Sequence, residues 1–243
     1  MADIISSKNG PLLEITLNRP DHGNGATDEM AIELTRLIQQ APQGTQCIVL
    51  RGAGKDFCIG RAVMGSRPVQ APEALAMKRS FDAIFNCYSA IRNSPVPVIA
   101  VVQGRALGFG CALAAVADIT IAEEAAQFQV PEMAHNILPT MVMSSFIDRV
   151  PRKAFIYLIY STAVIDAQRA LSFGIVSDVE PAAQLEQAVQ KLTAAIVKAP
   201  HPALLGLKEY ARTAFDMPVP GAIDFARNLH AVINSSSEMR HES

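Results

Sequence analysis

The sequence predicts an α/β fold in which short apolar strands alternate with helices, followed by a helical C-terminal region. Three observations carry this. Residues 95–132 pass from a β-branched run (Val96, Val98, Ile99, Val101, Val102) through a glycine turn at 104–110 into an alanine-rich segment, and on to Ile119 and Ile121. That order reads as strand, tight turn, buried helix, strand. Residues 12–17 and 47–50 are two further short runs of strand character. After Pro181 the pattern is helical and is broken only around Pro200 and Pro202 and around Pro218 and Pro220, where a fixed φ and a missing N–H stop a helix.

Taken in order, residues 12–17 alternate apolar and polar and end at Asn18, Arg19 and Pro20. A loop at 21–25 precedes a helix with Thr27 as N-cap, Met30 at N3, and Met30, Leu34, Leu37 and Ile38 on one apolar face. Residues 47–50 form a continuously apolar strand, 52–56 a turn, and 57–61 a strand end or bulge. Residues 65–74, with Pro68 and Pro72, read as a mobile loop. Leu75, Phe81, Ile84, Phe85, Tyr88 and Ile91 recur at helical spacing as the core face of one amphipathic helix. Apolar helices are expected over 137–147 and 154–160, and a short one over 166–171 stopped by Gly174. A strand over 175–179 follows, then helices over 183–198, 202–215 and 221 to 236.

Composition excludes several classes of function. The net charge of −2, from 21 Lys+Arg and 23 Asp+Glu, offers no basic field for nucleic acid. Cys47, Cys58, Cys87 and Cys111 lack metal or redox spacing and sit among apolar neighbours, as buried thiols do. No leader pattern and no long apolar run is present, so a soluble, cytoplasmic protein without membrane contact is expected. Phosphate-loop, dinucleotide and Gly-x-Ser-x-Gly patterns are missing, and no metal is implied.

Residues 15–20, 48–60 and 95–132 resemble, in order and spacing, the crotonase or enoyl-CoA hydratase/isomerase family. The resemblance implies a crotonase-like spiral of β-β-α units over residues 1–197. Residues 198–243 would be a helical region packing between subunits of a homotrimer or a dimer of trimers. It further implies an acyl-CoA thioester as substrate, with coenzyme A arriving as part of the substrate and no separate cofactor. The acyl-CoA would lie along His22, Gly23, Ile59, Gly60, Arg61, Ala62, Val63, Met64 and Gly108.

In this family a thioester is converted to an enolate, and two main-chain N–H groups hold the developing oxyanion. Those donors map to Arg61 and to Phe109, the latter standing where the family usually has glycine. Of the two glutamates that serve the hydratases, the first is replaced by Ala112, while the second, twenty residues later, is kept as Glu132 after Pro131. Apolar neighbours such as Phe128, Val130 and Met133 are expected to raise its pKa. One carboxylate suits double-bond migration better than hydration, which divides its work between two. His135 is a candidate auxiliary group. The alternatives are a hydratase that recruits His135 or another group, and an inactive crotonase-like protein that binds acyl-CoA. Asp118 is expected to make local backbone hydrogen bonds.

Overall fold

The computed structural model describes residues 2–62 and 73–240. It opens on a hairpin that the sequence reading does not include: β1 (Ile4–Asn9) runs antiparallel to β2 (Leu12–Leu17), with Asn9 opposite Leu12 and Ile4 opposite Leu17. Gly10, at φ 56°, starts a two-residue turn completed by Pro11, since glycine in the first turn position lets the turn twist with the strands. β1 buries Ile4 alone, so its pattern is too sparse to read.

From β2 onward the main sheet is parallel. β3 (Cys47–Gly52), β4 (Val98–Val102), β6 (Ile119–Glu123) and β9 (Asp178–Glu180) join it in the order β1-β2-β3-β4-β6-β9. A second sheet is made of β5 (Arg105–Leu107), β7 (Gln127–Gln129) and β8 (Ile165–Asp166). Isolated bridges from Ala26 to Arg61 and from Cys58 to Ala106 continue its ladder. Successive turns of the chain thus place one strand in the large sheet and one short extended piece in the second layer, which is a spiral.

Between the layers lies α4 (Phe109–Val116), buried at every residue. α1 (Asp28–Gln39) starts as expected, with the Met30 N–H donating to Thr27 Oγ1 at 3.3 Å. Its buried face is Met30, Ala31, Leu34 and Ile38. The single helix expected from Leu75 to Ile91 is instead two, α2 (Ala74–Arg79) and α3 (Asp82–Arg92), and Leu75 is 65% exposed. α2 buries no residue, whereas α3 buries Ile84, Cys87, Tyr88, Ala90 and Ile91. Residues 57–61 pair only through the isolated bridges. Ile175 and Val176 are buried without entering a strand, and pairing begins at Asp178.

α5 (Thr140–Phe146), α6 (Arg152–Ser161) and α7 (Ala167–Ser172) pack around the second layer, α7 capped by Asp166, which accepts from the Arg169 N–H at 2.8 Å. α8 (Ala182–Lys198) covers the other face of the large sheet, setting Val189 against Cys47, Val49, Ile99, Val101 and Ile121. α9 (His201–Thr213) and α10 (Val219–Asn234) lie together, with Tyr210 stacked on Phe225. Lys208 ties α9 to the body of the fold: its Nζ donates to Asp118 Oδ2 at 2.5 Å and to the Ile91 carbonyl at 3.1 Å. Asp118 Oδ2 also accepts from the Val98 N–H at 2.8 Å, twenty residues back, so its bonds join distant segments instead of the local backbone expected of it. All four cysteines are free and buried. Among the described residues no helix is long and apolar enough to cross a membrane, and no acidic, His or Cys cluster could hold a metal ion.

Candidate active site

Two turns of the spiral bring Gly60 and Gly108 together. On the first, the Ala26 N–H donates to the Gly60 carbonyl at 2.9 Å and the Ala62 N–H to the Ala26 carbonyl at 2.8 Å. Arg61 lies between these bonds, and its own N–H has no acceptor among the described residues. Its guanidinium is drawn away onto Asp28 at the start of α1, with contacts of 2.7, 2.8 and 3.0 Å. What Arg61 offers the site is therefore its main chain.

On the second turn, Gly108 adopts φ 49° and ψ −112°, a conformation open to glycine and strained for other residues. Its N–H donates to the Gln129 carbonyl at 2.9 Å, tying the turn to β7, and its carbonyl accepts from the Ala112 N–H at 2.9 Å. Phe109 is the first helical residue, so its N–H points out of the helix start unpaired. The ring does not crowd the turn, because it is buried and stacks on Tyr88 at 5.7 Å. Gly110 is needed for contact: a Cβ there would lie 2.1 Å from the Cys58 carbonyl oxygen.

Glu132 opens a short 3-10 turn after Pro131 and reaches into this junction. A Cβ on Gly108 would meet Glu132 Oε1 at 2.6 Å and the Gly60 α-carbon at 3.8 Å, so the carboxylate and both glycine turns converge at one point. Glu132 Oε2 is buried and has no hydrogen-bond partner. Burial raises the pKa of this carboxyl, opposed more weakly by its own backbone N–H and by the charge of His135. Phe128 and Val130 beneath it are fully buried, but Met133 and His135 are exposed. His135 is thus a neighbour of Glu132 on its solvent side. Ala112, buried on α4, brings no second carboxylate.

The 21–25 loop adjoins this junction. His22 closes a 3-10 turn, and Gly23, at φ 57°, packs under Ile59, whose N–H donates to the Gly23 carbonyl at 3.0 Å. Gly23 must be glycine here, since a Cβ would sit 2.8 Å from Ile59 Cδ1. Val63 and Met64 lie outside the described residues, as do residues 65–72 of the loop expected at 65–74, whose last residue, Ala74, starts α2. Two residues that sequence reasoning passed over hold this part in place. Asn24 is fully buried at φ 56°; its Oδ1 accepts from the Arg19 N–H at 2.8 Å and its Nδ2 donates to the carbonyls of Ala53 and Asp56 at 2.8 and 2.7 Å. Asp28 is the other. An Asn between two glycines, a residue tolerant of left-handed φ, is the signal that marks Asn24.

Two unpaired N–H groups beside a carboxylate can hold an oxyanion while a proton moves on a neighbouring carbon. Residues 7–243 match the family model described as Enoyl-CoA hydratase/isomerase. YngF of Bacillus subtilis (strain 168), named for the enoyl-CoA hydratase/isomerases, is 32% identical over 200 residues, 79% of this chain and 75% of its own. Carnitinyl-CoA dehydratase of Escherichia coli (strain K12) is 30% identical over 229 residues, 91% of this chain and 85% of its own. A Thermobifida fusca YX protein of the enoyl-CoA hydratase type, solved in complex with CoA, matches with a TM-score of 0.88 at 25% identity, over 96% of this chain and 93% of that one.

Proposed function

This chain belongs to the enoyl-CoA hydratase/isomerase (crotonase) family, and from that premise we propose that it shifts a double bond in an enoyl-CoA thioester. Glu132 is the single acid/base, and the N–H groups of Arg61 and Phe109 are the oxyanion donors. One observation carries this reading: a lone carboxylate of raised pKa stands against the Gly108 turn, while the α4 position that serves hydration in the family is Ala112.

The sequence of events needs only these groups. The Glu132 carboxylate takes a proton from the α-carbon of a 3-enoyl-CoA, and the electron pair delocalises onto the thioester oxygen as a dienolate. The two N–H groups hold that charge, and each such donor is worth about 100- to 1000-fold in rate. The now neutral Glu132 returns the proton to the γ-carbon, and the oxygen's charge collapses to give the 2-enoyl-CoA. A carboxyl pushed up by burial serves both halves, since it holds a proton more tightly than an ordinary carboxylate does. The CoA bound to the Thermobifida fusca neighbour supports a CoA thioester as the substrate class.

Hydration or dehydration at a divergent site is the second reading, favoured by the dehydratase name of the Escherichia coli relative. For the C-terminal helices we infer packing between copies, as a homotrimer or dimer of trimers. Exposed Leu207, Phe215, Val219, Ile223 and Val232 on and between α9 and α10 support that arrangement. Supplying 3-enoyl-CoA and 2-enoyl-CoA in parallel tests the choice of reaction. Isomerisation is expected, with Glu132→Gln abolishing turnover and sparing thioester binding. Formation of hydroxyacyl-CoA would support the hydratase, and binding without turnover an acyl-CoA-binding protein.

A further inference from the structure

Three buried side-chain polar atoms of the described residues have no hydrogen-bond partner, and two of them, Tyr88 Oη and Glu132 Oε2, share one neighbourhood. A buried hydroxyl or carboxylate oxygen left unsatisfied costs about 1–3 kcal/mol, and a phenylalanine at 88 would fill the same core without that cost. Tyr88 projects from α3 with 2% of its surface exposed, and its ring is stacked on Phe109 at 5.7 Å and 27°. Cys58, Cys111 and Glu132 all lie in the neighbourhood of the phenol. The ring thus lies beside Phe109, next in the chain to Gly108, against which the Glu132 carboxylate sits.

Protonation states in this neighbourhood are well separated. Burial pushes the thiols of Cys58 and Cys87 up to about 12 and that of Cys111 higher, so they are neutral. Burial likewise raises the Tyr88 phenol, which stays protonated and is a donor. His135 acts on Glu132 from the solvent side. The buried side thus holds one carboxyl oxygen, Glu132 Oε2, and one hydroxyl, Tyr88 Oη, each without a partner.

We propose that Tyr88 is a positioning residue for Glu132: its hydroxyl donates across one enclosed water to Oε2, and leaves Oε1, against Gly108, to exchange protons with substrate. In a site where α4 supplies Ala112, α3 supplies the second polar group. The catalytic part of this inference rests on the function proposed above; the hydrogen bond itself does not.

The test is Tyr88→Phe, which keeps the ring and its stack on Phe109. The titration of Glu132 is followed by 13C NMR of side-chain-labelled glutamate, its signal assigned by loss in Glu132→Gln. A donor to the charged form lowers a carboxyl's pKa, so Tyr88→Phe should titrate at higher pH than the wild type. The acid limb of the kcat profile should move the same way, with kcat falling about 10- to 100-fold, the worth of a hydrogen bond to a charged group, and KM nearly unchanged. An unchanged titration overturns the inference whatever the turnover. Full activity in Glu132→Gln, with the titration still shifted in Tyr88→Phe, would overturn the proposed reaction and leave the hydrogen bond standing.

Discussion

Glu132 Oε1 rests against the α-carbon of Gly108 so closely that a Cβ there would lie 2.6 Å from it. The same glycine holds the turn that frees the Phe109 N–H. One contact thus joins the proposed acid/base and a proposed oxyanion donor, and a side chain at 108 would disturb both.

Gly108→Ala should therefore lose kcat by about 100- to 1000-fold, the effect of losing one such donor. It should also lose about 1–3 kcal/mol of stability from the forced left-handed φ. Steady-state kinetics and urea unfolding of the one variant check both. Wild-type kcat would remove the turn at Gly108 from the mechanism.

Arg61→Ala should behave differently, although it stands at the other donor. Its side chain is committed to Asp28 on a partly exposed surface, where an ion pair is worth about 0–1 kcal/mol. Turnover within about fivefold of wild type is expected on that scale. A loss as large as that of Gly108→Ala would mean that the guanidinium itself acts on substrate.

Burial of Glu132 also makes a stability prediction. Its folded-state pKa is raised above the ordinary 4.5, so the native state holds the proton more tightly than the unfolded chain does. Stability consequently falls as pH rises from about 4.5 through the folded pKa. Glu132→Gln, neutral throughout, should be more stable than wild type at pH about 8, and the gap should close below the unfolded pKa. Thermal melts of the pair across that range give the sign directly; a destabilised glutamine variant at high pH would contradict it.

Lys208→Ala should cost about 3 kcal/mol in urea unfolding, the low end for breaking a buried pair. It strands Asp118, which keeps the Val98 N–H at 2.8 Å and Arg149 at 3.9 Å. Because Lys208 links α9 to Asp118 and to the Ile91 carbonyl, the loss should be felt in packing of the C-terminal helices. Lys208→Met, which also removes the charge but keeps apolar volume, should recover little, since the orphaned Asp118 remains.

Much of this was legible in the residues. Thr27 and Met30 mark a helix start by local chemistry alone, and α4 is apolar all round, the pattern of a buried helix. Glu132 and the glycine turn were found through their spacing and family likeness rather than through any property of a lone glutamate. What stayed hidden depends on contacts far apart in the chain. Leu75 shares the helical spacing of Ile84 and Tyr88, yet the helix breaks before α3 and Leu75 faces solvent. Tyr88 reads as one more core residue until Phe109, 21 positions on, is seen stacked on it and its hydroxyl is seen unpaired. Phe109, standing where the family usually has glycine, is a similar case: nothing in the sequence tells that its ring has a place in the core.

The fate of a labelled proton tests most directly whether Glu132 alone carries the reaction. A 3-enoyl-CoA deuterated at C2 is turned over once in ordinary water, and the 2-enoyl-CoA product is examined by mass spectrometry and NMR. A single buried carrier predicts that part of the deuterium removed from C2 reappears at C4 and that Glu132→Gln forms no such product. Complete loss of the removed label to solvent, with C4 filled from water at the first turnover, would contradict it.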